Sequence, residues 1–288
     1  MLVISGSASP KLSAKVASLL GAELVNAEVR RFPDGEIYVR VDAELRRKPV
    51  AIIQSTCPPQ NDNLIELLLL LDAAKDLGAK RIIAVVPYLA YSRQDKQFKP
   101  GEAVSLRTVS KLISQSGAEE LITVDIHQEE TLGNFSIPAF NQTAMPLIGR
   151  YLRNLNLENP IIIGADQGSI KRATRVALEL GAEHYFLEKR RISPENVIVY
   201  PKNLEVKGRD VVMVDDIVST GGTIIGAAKI LQEQGAREVY VACAHPVLAG
   251  NAAQRLKEAG IKQIIATDTI EKDVSVVSVA PLIAELIK

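Results

Sequence analysis

The chain has 288 residues, 47% of them apolar, and its 34 basic and 34 acidic side chains cancel. That balance excludes wholesale disorder and shows no polybasic nucleic-acid binder, while the length suits two domains of ~140 residues each. Its cysteines, Cys57 and Cys243, are too few for a disulfide framework or a thiolate zinc site, which points to a reducing, cytoplasmic setting.

In chain order, the opening MLVISGSASPKL has no charged leader region and only a brief apolar run, so it does not read as a signal peptide. VAIIQST, from Val50, reads as a short buried strand. The apolar run 64–71, broken by Glu66 and stopped by Asp72, falls far short of the ~20 residues of a membrane span. It is read as a buried helix or a subunit interface, with no membrane partner. Then come a helical pattern, DAAKDLGA, a strand, RIIAVVPY, and a long polar stretch, YLAYSRQDKQFKPGEAVS. A loop of that length inside a compact domain is a functional lid or is disordered. RTVSKLISQSGA (helix) and ELITVDIH (strand) follow.

The second half repeats the alternation. PIIIGAD and DVVMVDD read as strands, AAKILQEQGA as a helix, EVYVACAHP as a strand, AAQRLKEAG as a helix and QIIATDT as a strand. The helical patterns end in Gly, a favoured residue just past a helix C-terminus. Alternating elements predict an α/β fold, mostly parallel sheet flanked by helices. The halves also resemble each other. VAIIQST matches VVMVDDI, DAAKDLGAKRIIAVVPY matches AAKILQEQGAREVYVACAHP, and KLISQSGAEELITVDIH matches RLKEAGIKQIIATDTI, in the same order. Two related domains are the preferred reading; generic βα regularity without duplication is the other. The expected boundaries are 1–143, 144–273, and a C-terminal segment 274–288 packing back on the first domain.

The chemistry concentrates in VVMVDDIVSTGGT. Ligands of open parallel sheets sit beyond the carboxyl ends of strands, where Asp215 and Asp216 would lie. The glycines allow a tight turn into a helix whose free N–H groups form an anion site. Ser219, Thr220 and Thr223 add hydroxyl donors. A phosphate is expected at the glycines and a polyhydroxylated or metal-bound group at the carboxylates. GxxxxGK[ST] and GxGxxG are both absent.

This segment resembles the phosphoribosyl pyrophosphate loop of the type I phosphoribosyltransferase fold, in which two acids hold ribose hydroxyls and the glycine turn holds the 5′-phosphate. RFPDGEIYVR, IIQSTCPP, YSRQDK, VDIH and EKRR, in register along the chain, further resemble the ribose-phosphate pyrophosphokinase family. The resemblance implies two phosphoribosyltransferase-type domains, the first on the ATP side with a long loop at 91–101, the second on the ribose 5-phosphate side. It implies ATP contacts at Asp34, Gly35, Glu36, Arg93 and Gln94. It implies a metal side at His127 and Asp166 with Asp125 close by, and catalysis by Lys189 and Arg191. Arg191, Asp215, Asp216, Ser219, Thr220, Gly221, Gly222 and Thr223 would hold ribose 5-phosphate. It also implies Mg²⁺, two ions, and a homo-oligomer built from dimers. Histidine is an unusual magnesium ligand, so His127 could equally orient a water or contact a phosphate. His184 reads as a surface residue, and the role of His245 stays open.

The sequence departs from the family pattern in three ways, one of them a chain shorter than in many members, with trimmed loops, which puts inherited allosteric behaviour in question. STGGT stands where an aspartate usually precedes TGGT, and ADQGS stands for PDxGG, so that Ser169 replaces a glycine. A nucleobase phosphoribosyltransferase would need one such domain and neither RFPDGE nor YSRQDK. A non-catalytic member of the fold should have lost Lys189, Asp166 or His127.

Overall fold

The computed structural model describes the backbone of residues 1–191, 197–200 and 204–288, with the side chains of all these except 188–191 and 197–200. The chain divides into two compact units. Unit 1 comprises Met1–Thr143, Thr269–Glu271 and Ser278–Lys288, and unit 2 comprises Ala144–Asp268 and Lys272–Val277.

Unit 1 holds the strands β1 (Leu2–Ser5), β2 (Glu23–Asn26), β3 (Glu28–Arg31), β4 (Ile37–Arg40), β5 (Pro49–Ile53), β6 (Arg81–Val86), β7 (Glu120–Val124) and β8 (Ala139–Gln142). Six of them form one parallel sheet in the order β2-β1-β5-β6-β7-β8, and β3 and β4 pair apart as an antiparallel hairpin. The inner strands β5, β6 and β7 are short, β-branched and buried on both faces, as parallel strands under helices must be, while the edge strands β2 and β8 are partly exposed. The helices are α1 (Pro10–Leu20), α2 (Gln60–Asp76) and α3 (Ser105–Gln115). The apolar run 64–71 is the middle of α2. Leu64, Leu67, Leu70 and Leu71 join the core while Ile65 and Leu69 face outward. Each fully buried leucine contributes about 1.5–3 kcal/mol over an exposed one. That burial holds α2 on the sheet although its sequence carries no clean polar face.

Unit 2 repeats the plan. Its helices are α4 (Met145–Arg153), α5 (Ile170–Leu180), α6 (Gly222–Glu233) and α7 (Ala252–Glu258). Its strands are β9 (Ile161–Gly164), β10 (Glu183–Phe186), β11 (Glu188–Arg191), β12 (Val197–Tyr200), β13 (Asp210–Ile217), β14 (Glu238–His245), β15 (Ile261–Thr267) and β16 (Ser275–Val277). The parallel sheet runs β10-β9-β13-β14-β15-β16, and β11 and β12 form the detached hairpin. Both sheets therefore read second-first-third-fourth-fifth-sixth, with a hairpin between the second and third strands. The segments matched in the sequence are β5 with β13, β6 with β14 and β7 with β15, each pair at the same place in its sheet. The last helix, α8 (Ala280–Ile287), belongs to unit 1 and packs against α1. Among the described residues no helix is long and apolar enough to cross a membrane.

Candidate active site

In unit 2 the strand order reverses between β9 and β13, since β9 leads outward to β10 and β13 to β14. Such a switch point opens a crevice beyond the carboxyl ends of both strands. The loops at 165–169 and 218–221 rim it. At the end of β9, Gly164 lets the first loop fold back, because a Cβ there would lie 3.1 Å from the Ser169 carbonyl. Asp166 caps the single 3-10 turn Gln167–Ser169, accepting the Ser169 N–H at 3.1 Å. The buried Ser169 Oγ lies 3.1 Å from Asp166 Oδ1 and 2.9 Å from Asp215 Oδ1. Asp215 Oδ1 also accepts the Asp216 N–H at 2.9 Å. Asp216 turns the other way, and its carboxylate, 4% exposed, meets Arg172 Nη2 of α5 at 3.2 Å.

Three carboxylates thus sit at the ends of two adjacent strands. Burial, reinforced by neighbouring Asp216, pushes the Asp215 carboxyl up to about 7, although the Ser169 hydrogen bond pulls the other way. A hydroxyl has one proton, so Ser169 donates to one carboxylate at a time. The contact to the other carboxylate is therefore the weaker one at any moment.

The second loop is fixed from beneath by the segment after β14. Val218 N–H donates to the His245 carbonyl at 3.1 Å, Leu248 N–H to that of Val218 at 2.9 Å, and Ala249 N–H to that of Ser219 at 3.2 Å. Gly221 then takes a left-handed turn (φ 74°) into α6, whose N-terminus has no side-chain cap. Ser219 is half-buried, while Thr220, Gly222 and Thr223 are exposed around that helix start. Uncapped N–H groups and the positive end of the helix dipole make this a place for an anion.

The remaining predicted residues lie on loops of unit 1 and on the unit 2 hairpin. Asp34, Gly35 and Glu36 form the exposed β3–β4 turn, closed by Phe32 N–H to the Glu36 carbonyl at 2.8 Å and by Glu36 N–H to Asp34 Oδ1 at 3.2 Å. Arg30 lies over the Tyr38 ring at 4.2 Å, and Tyr38 meets Phe32 edge to face. Arg93 and Gln94 open the long loop after β6, where Gln94 N–H donates to the Tyr91 carbonyl at 3.2 Å. Further along, the Glu102 carboxylate accepts the N–H groups of Phe98 and Lys99 at 2.8 and 3.0 Å. Asp125 and His127 follow β7. Asp125 is buried at φ 41° and accepts from Thr143 Oγ1 at 2.7 Å, whereas His127 is half-buried. Lys189 and Arg191 stand opposite Val199 and Val197 in the β11–β12 ladder, and their side chains lie outside the described residues. Of the predicted residues, Asp166, Asp215, Asp216 and 219–223 come together in unit 2. Among the described residues no group of three or more His, Cys, Asp or Glu is arranged to hold a metal ion.

Two residues of the crevice escape a reading by motif: Ser169 as a bridge and Arg172 as the partner of Asp216. Their signal is spacing. Asp166, Ser169 and Arg172 recur every three residues across a helix start, which puts them on one side of it.

Comparison with known proteins covers the whole chain. The model of the N-terminal domain of ribose phosphate pyrophosphokinase matches residues 1–117, and that of the phosphoribosyl transferase domain matches residues 135–281. A ribose-phosphate pyrophosphokinase of Methanosarcina acetivorans is 46% identical over 100% of this chain and 99% of its own length. One from Saccharolobus solfataricus is 39% identical over 99% of each. The crystal structure of phosphoribosylpyrophosphate synthetase from Mycobacterium smegmatis superposes with a TM-score of 0.89 at 34% identity, covering 99% of this chain and 97% of that one. A match that runs through both units favours neither a single-domain nucleobase phosphoribosyltransferase nor a non-catalytic member of the fold. With its duplicated sheets and its crevice at the β9/β13 switch point, the chain belongs to the ribose-phosphate pyrophosphokinase family.

Proposed function

We propose that the chain transfers the β,γ-pyrophosphoryl group of MgATP to the 1-hydroxyl of ribose 5-phosphate, giving 5-phosphoribosyl 1-pyrophosphate and AMP for nucleotide biosynthesis. The observation that carries this is full-length similarity to enzymes bearing that name, with both the β13–α6 loop and the segments RFPDGE and YSRQDK present. In this reading unit 2 takes ribose 5-phosphate. The 5′-phosphate lies on the N-terminus of α6 against Ser219, Thr220, Gly221, Gly222 and Thr223. Asp215 accepts hydrogen bonds from the ribose hydroxyls, and Asp216 backs it. ATP lies on unit 1, against Asp34, Gly35 and Glu36 of the hairpin and Arg93 and Gln94 of the long loop. The 1-hydroxyl oxygen bonds to the β-phosphorus, the bond from that phosphorus to the α,β-bridging oxygen breaks, the hydroxyl proton is lost, and AMP departs with the bridging oxygen.

Such a transfer depends on positioning and charge neutralisation more than on covalent help from the protein. Lys189 and Arg191 supply positive charge to the phosphates as negative charge moves onto the leaving group. Mg²⁺, two ions, would polarise the phosphates and neutralise their charge. The donor chemistry suits a hard ion held largely by substrate oxygens and water: Asp166 would offer one carboxylate, His127 would meet a phosphate or a bound water, and Asp125, which accepts from Thr143, would support the loop that carries His127. The chain acts in the cytoplasm, needs neither nucleic acid nor membrane, and assembles as a homo-oligomer built from dimers. The decisive assay is AMP formation from ATP that depends on ribose 5-phosphate. ATP consumption indifferent to ribose 5-phosphate, or phosphoribosyl pyrophosphate consumption with a free nucleobase, would overturn the reading.

A further inference from the structure

The switch-point crevice contains a device that the substrate roles leave unused. A dianionic sugar phosphate must bind beside Asp166, Asp215 and Asp216, three carboxylates that repel it and one another. Two side chains of the β9–α5 segment answer this. Ser169, 1% exposed, spans Asp166 and Asp215 through a single hydroxyl at 3.1 and 2.9 Å. One turn on, Arg172, whose side chain is 16% exposed, pairs with Asp216 at 3.2 Å, and its Nη1 reaches the Gly168 carbonyl at 3.5 Å. Arg172 therefore grips both the strand end and the loop that carries Ser169. The fold-back of that loop is tight at Gly164, where a Cβ would lie 3.1 Å from the Ser169 carbonyl.

We propose that Ser169 and Arg172 are positioning residues of the acceptor site. Together they tie the β9–α5 loop to the end of β13. Ser169 fixes the Asp215 carboxyl in the orientation that meets the sugar hydroxyls. Arg172 neutralises Asp216, so that the phosphate approaching the α6 N-terminus meets less negative charge. Neither residue touches substrate; each acts through the aspartate it holds. The inference rests on the assignment of Asp215 to ribose 5-phosphate. A glycine at position 169 could not make the bridge, so this chain would orient its aspartate by a contact that the PDxGG pattern lacks.

The test compares Ser169→Ala, Ser169→Gly, Arg172→Gln and Arg172→Lys with the wild type. Initial rates give KM for each substrate, calorimetry gives the direct affinity for ribose 5-phosphate, and thermal melting gives stability. Losing one charge-assisted contact is expected to raise KM and Kd for ribose 5-phosphate about tenfold or more in Ser169→Ala, Ser169→Gly and Arg172→Gln. KM for ATP should stay within about twofold, a split that a general loss of fold does not produce. Arg172→Lys, which keeps the charge, should recover most of the loss. An unchanged ribose 5-phosphate affinity in the Ser169 variants overturns the proposal, as does an equal rise in both KM values. Calorimetry keeps the two readings apart. If the wild type binds ribose 5-phosphate but makes no AMP, the proposed reaction fails and the brace is still judged on Kd. If the wild type does not bind it, both fall.

Discussion

Asp215 shows how one side chain is set by its surroundings. A carboxyl pushed up to about 7 keeps its proton well above the ordinary carboxylate range. The folded state then holds a proton that the unfolded chain releases near its ordinary, lower value. Stability from this group is fully present below that ordinary value, declines as pH rises toward 7, and is lost above it. Binding of ribose 5-phosphate is expected to run the opposite way, because an ionised carboxylate accepts hydrogen bonds from hydroxyls better than a protonated one. The apparent affinity for ribose 5-phosphate should therefore strengthen as pH rises through about 7. Asp215→Asn should bind weakly and lack that inflection; a wild-type pH profile in the variant would assign the inflection elsewhere. Lys189 carries a second prediction at this scale. Removing one preorganised cation typically costs ~10²–10³ in rate. Lys189→Ala should lower kcat by at least ~100-fold at unchanged melting temperature, and a near-normal kcat would remove it from the machinery.

At the scale of elements, what could be read ahead of the structure follows burial. β5, β6, β7, β9, β13, β14 and β15 each announce themselves as β-branched runs, because a strand covered on both faces must be apolar throughout. The hairpins β3–β4 and β11–β12 do not: they stand outside the sheets, and β3 is largely exposed. β3 (EVRR) and β11 (EKRR) keep charged residues and lose the apolar signature, so VIVY of β12 has no legible partner. Helix α1 was also illegible as an element, since KLSAKVASLL mixes small polar residues into its buried face. Asp215 and the glycine turn were legible because a carboxylate pair is anomalous at the end of a buried strand. Ser169 and Arg172 were not, because their meaning depends on two loops meeting across strands distant in sequence.

The same scale yields a prediction for the turn. Gly221 sits at φ 74°, and a Cβ there would lie 3.2 Å from the Leu256 side chain. Left-handed strain of about 1–2 kcal/mol adds to that crowding. Gly221→Ala should raise KM for ribose 5-phosphate several-fold and leave KM for ATP unchanged, as steady-state kinetics on both substrates would show. An equal effect on both would mean the turn serves the fold rather than the phosphate.

For the whole molecule, the two units repeat one sheet plan but do not repeat one crevice. The switch point of unit 1, between β1 and β5, is the counterpart of the crevice in unit 2 but is filled by its own side chains. Gln54 stands where Asp215 stands in the repeat, and its Oε1 accepts the Ala8 N–H at 2.9 Å. Ser55 N–H donates to Ser9 Oγ at 3.0 Å, and buried Glu66 accepts the Ser7 N–H at 2.7 Å. Proline replaces glycine before α2, whose cap residue is Pro59. A crevice satisfied internally has little left to offer a ligand. Nucleotide is therefore expected on the peripheral parts of unit 1, the β3–β4 hairpin and the loop 91–101. Hydrogen–deuterium exchange tests this division of labour. Ribose 5-phosphate alone should slow exchange at 215–223 and leave 34–36 and 91–101 unchanged. A non-hydrolysable MgATP analogue alone should do the reverse, with protection of the long loop as it closes and excludes water. Protection of 54–60 by ribose 5-phosphate would mean that the first switch point still binds, and that the two units have diverged less than their buried polar contacts imply.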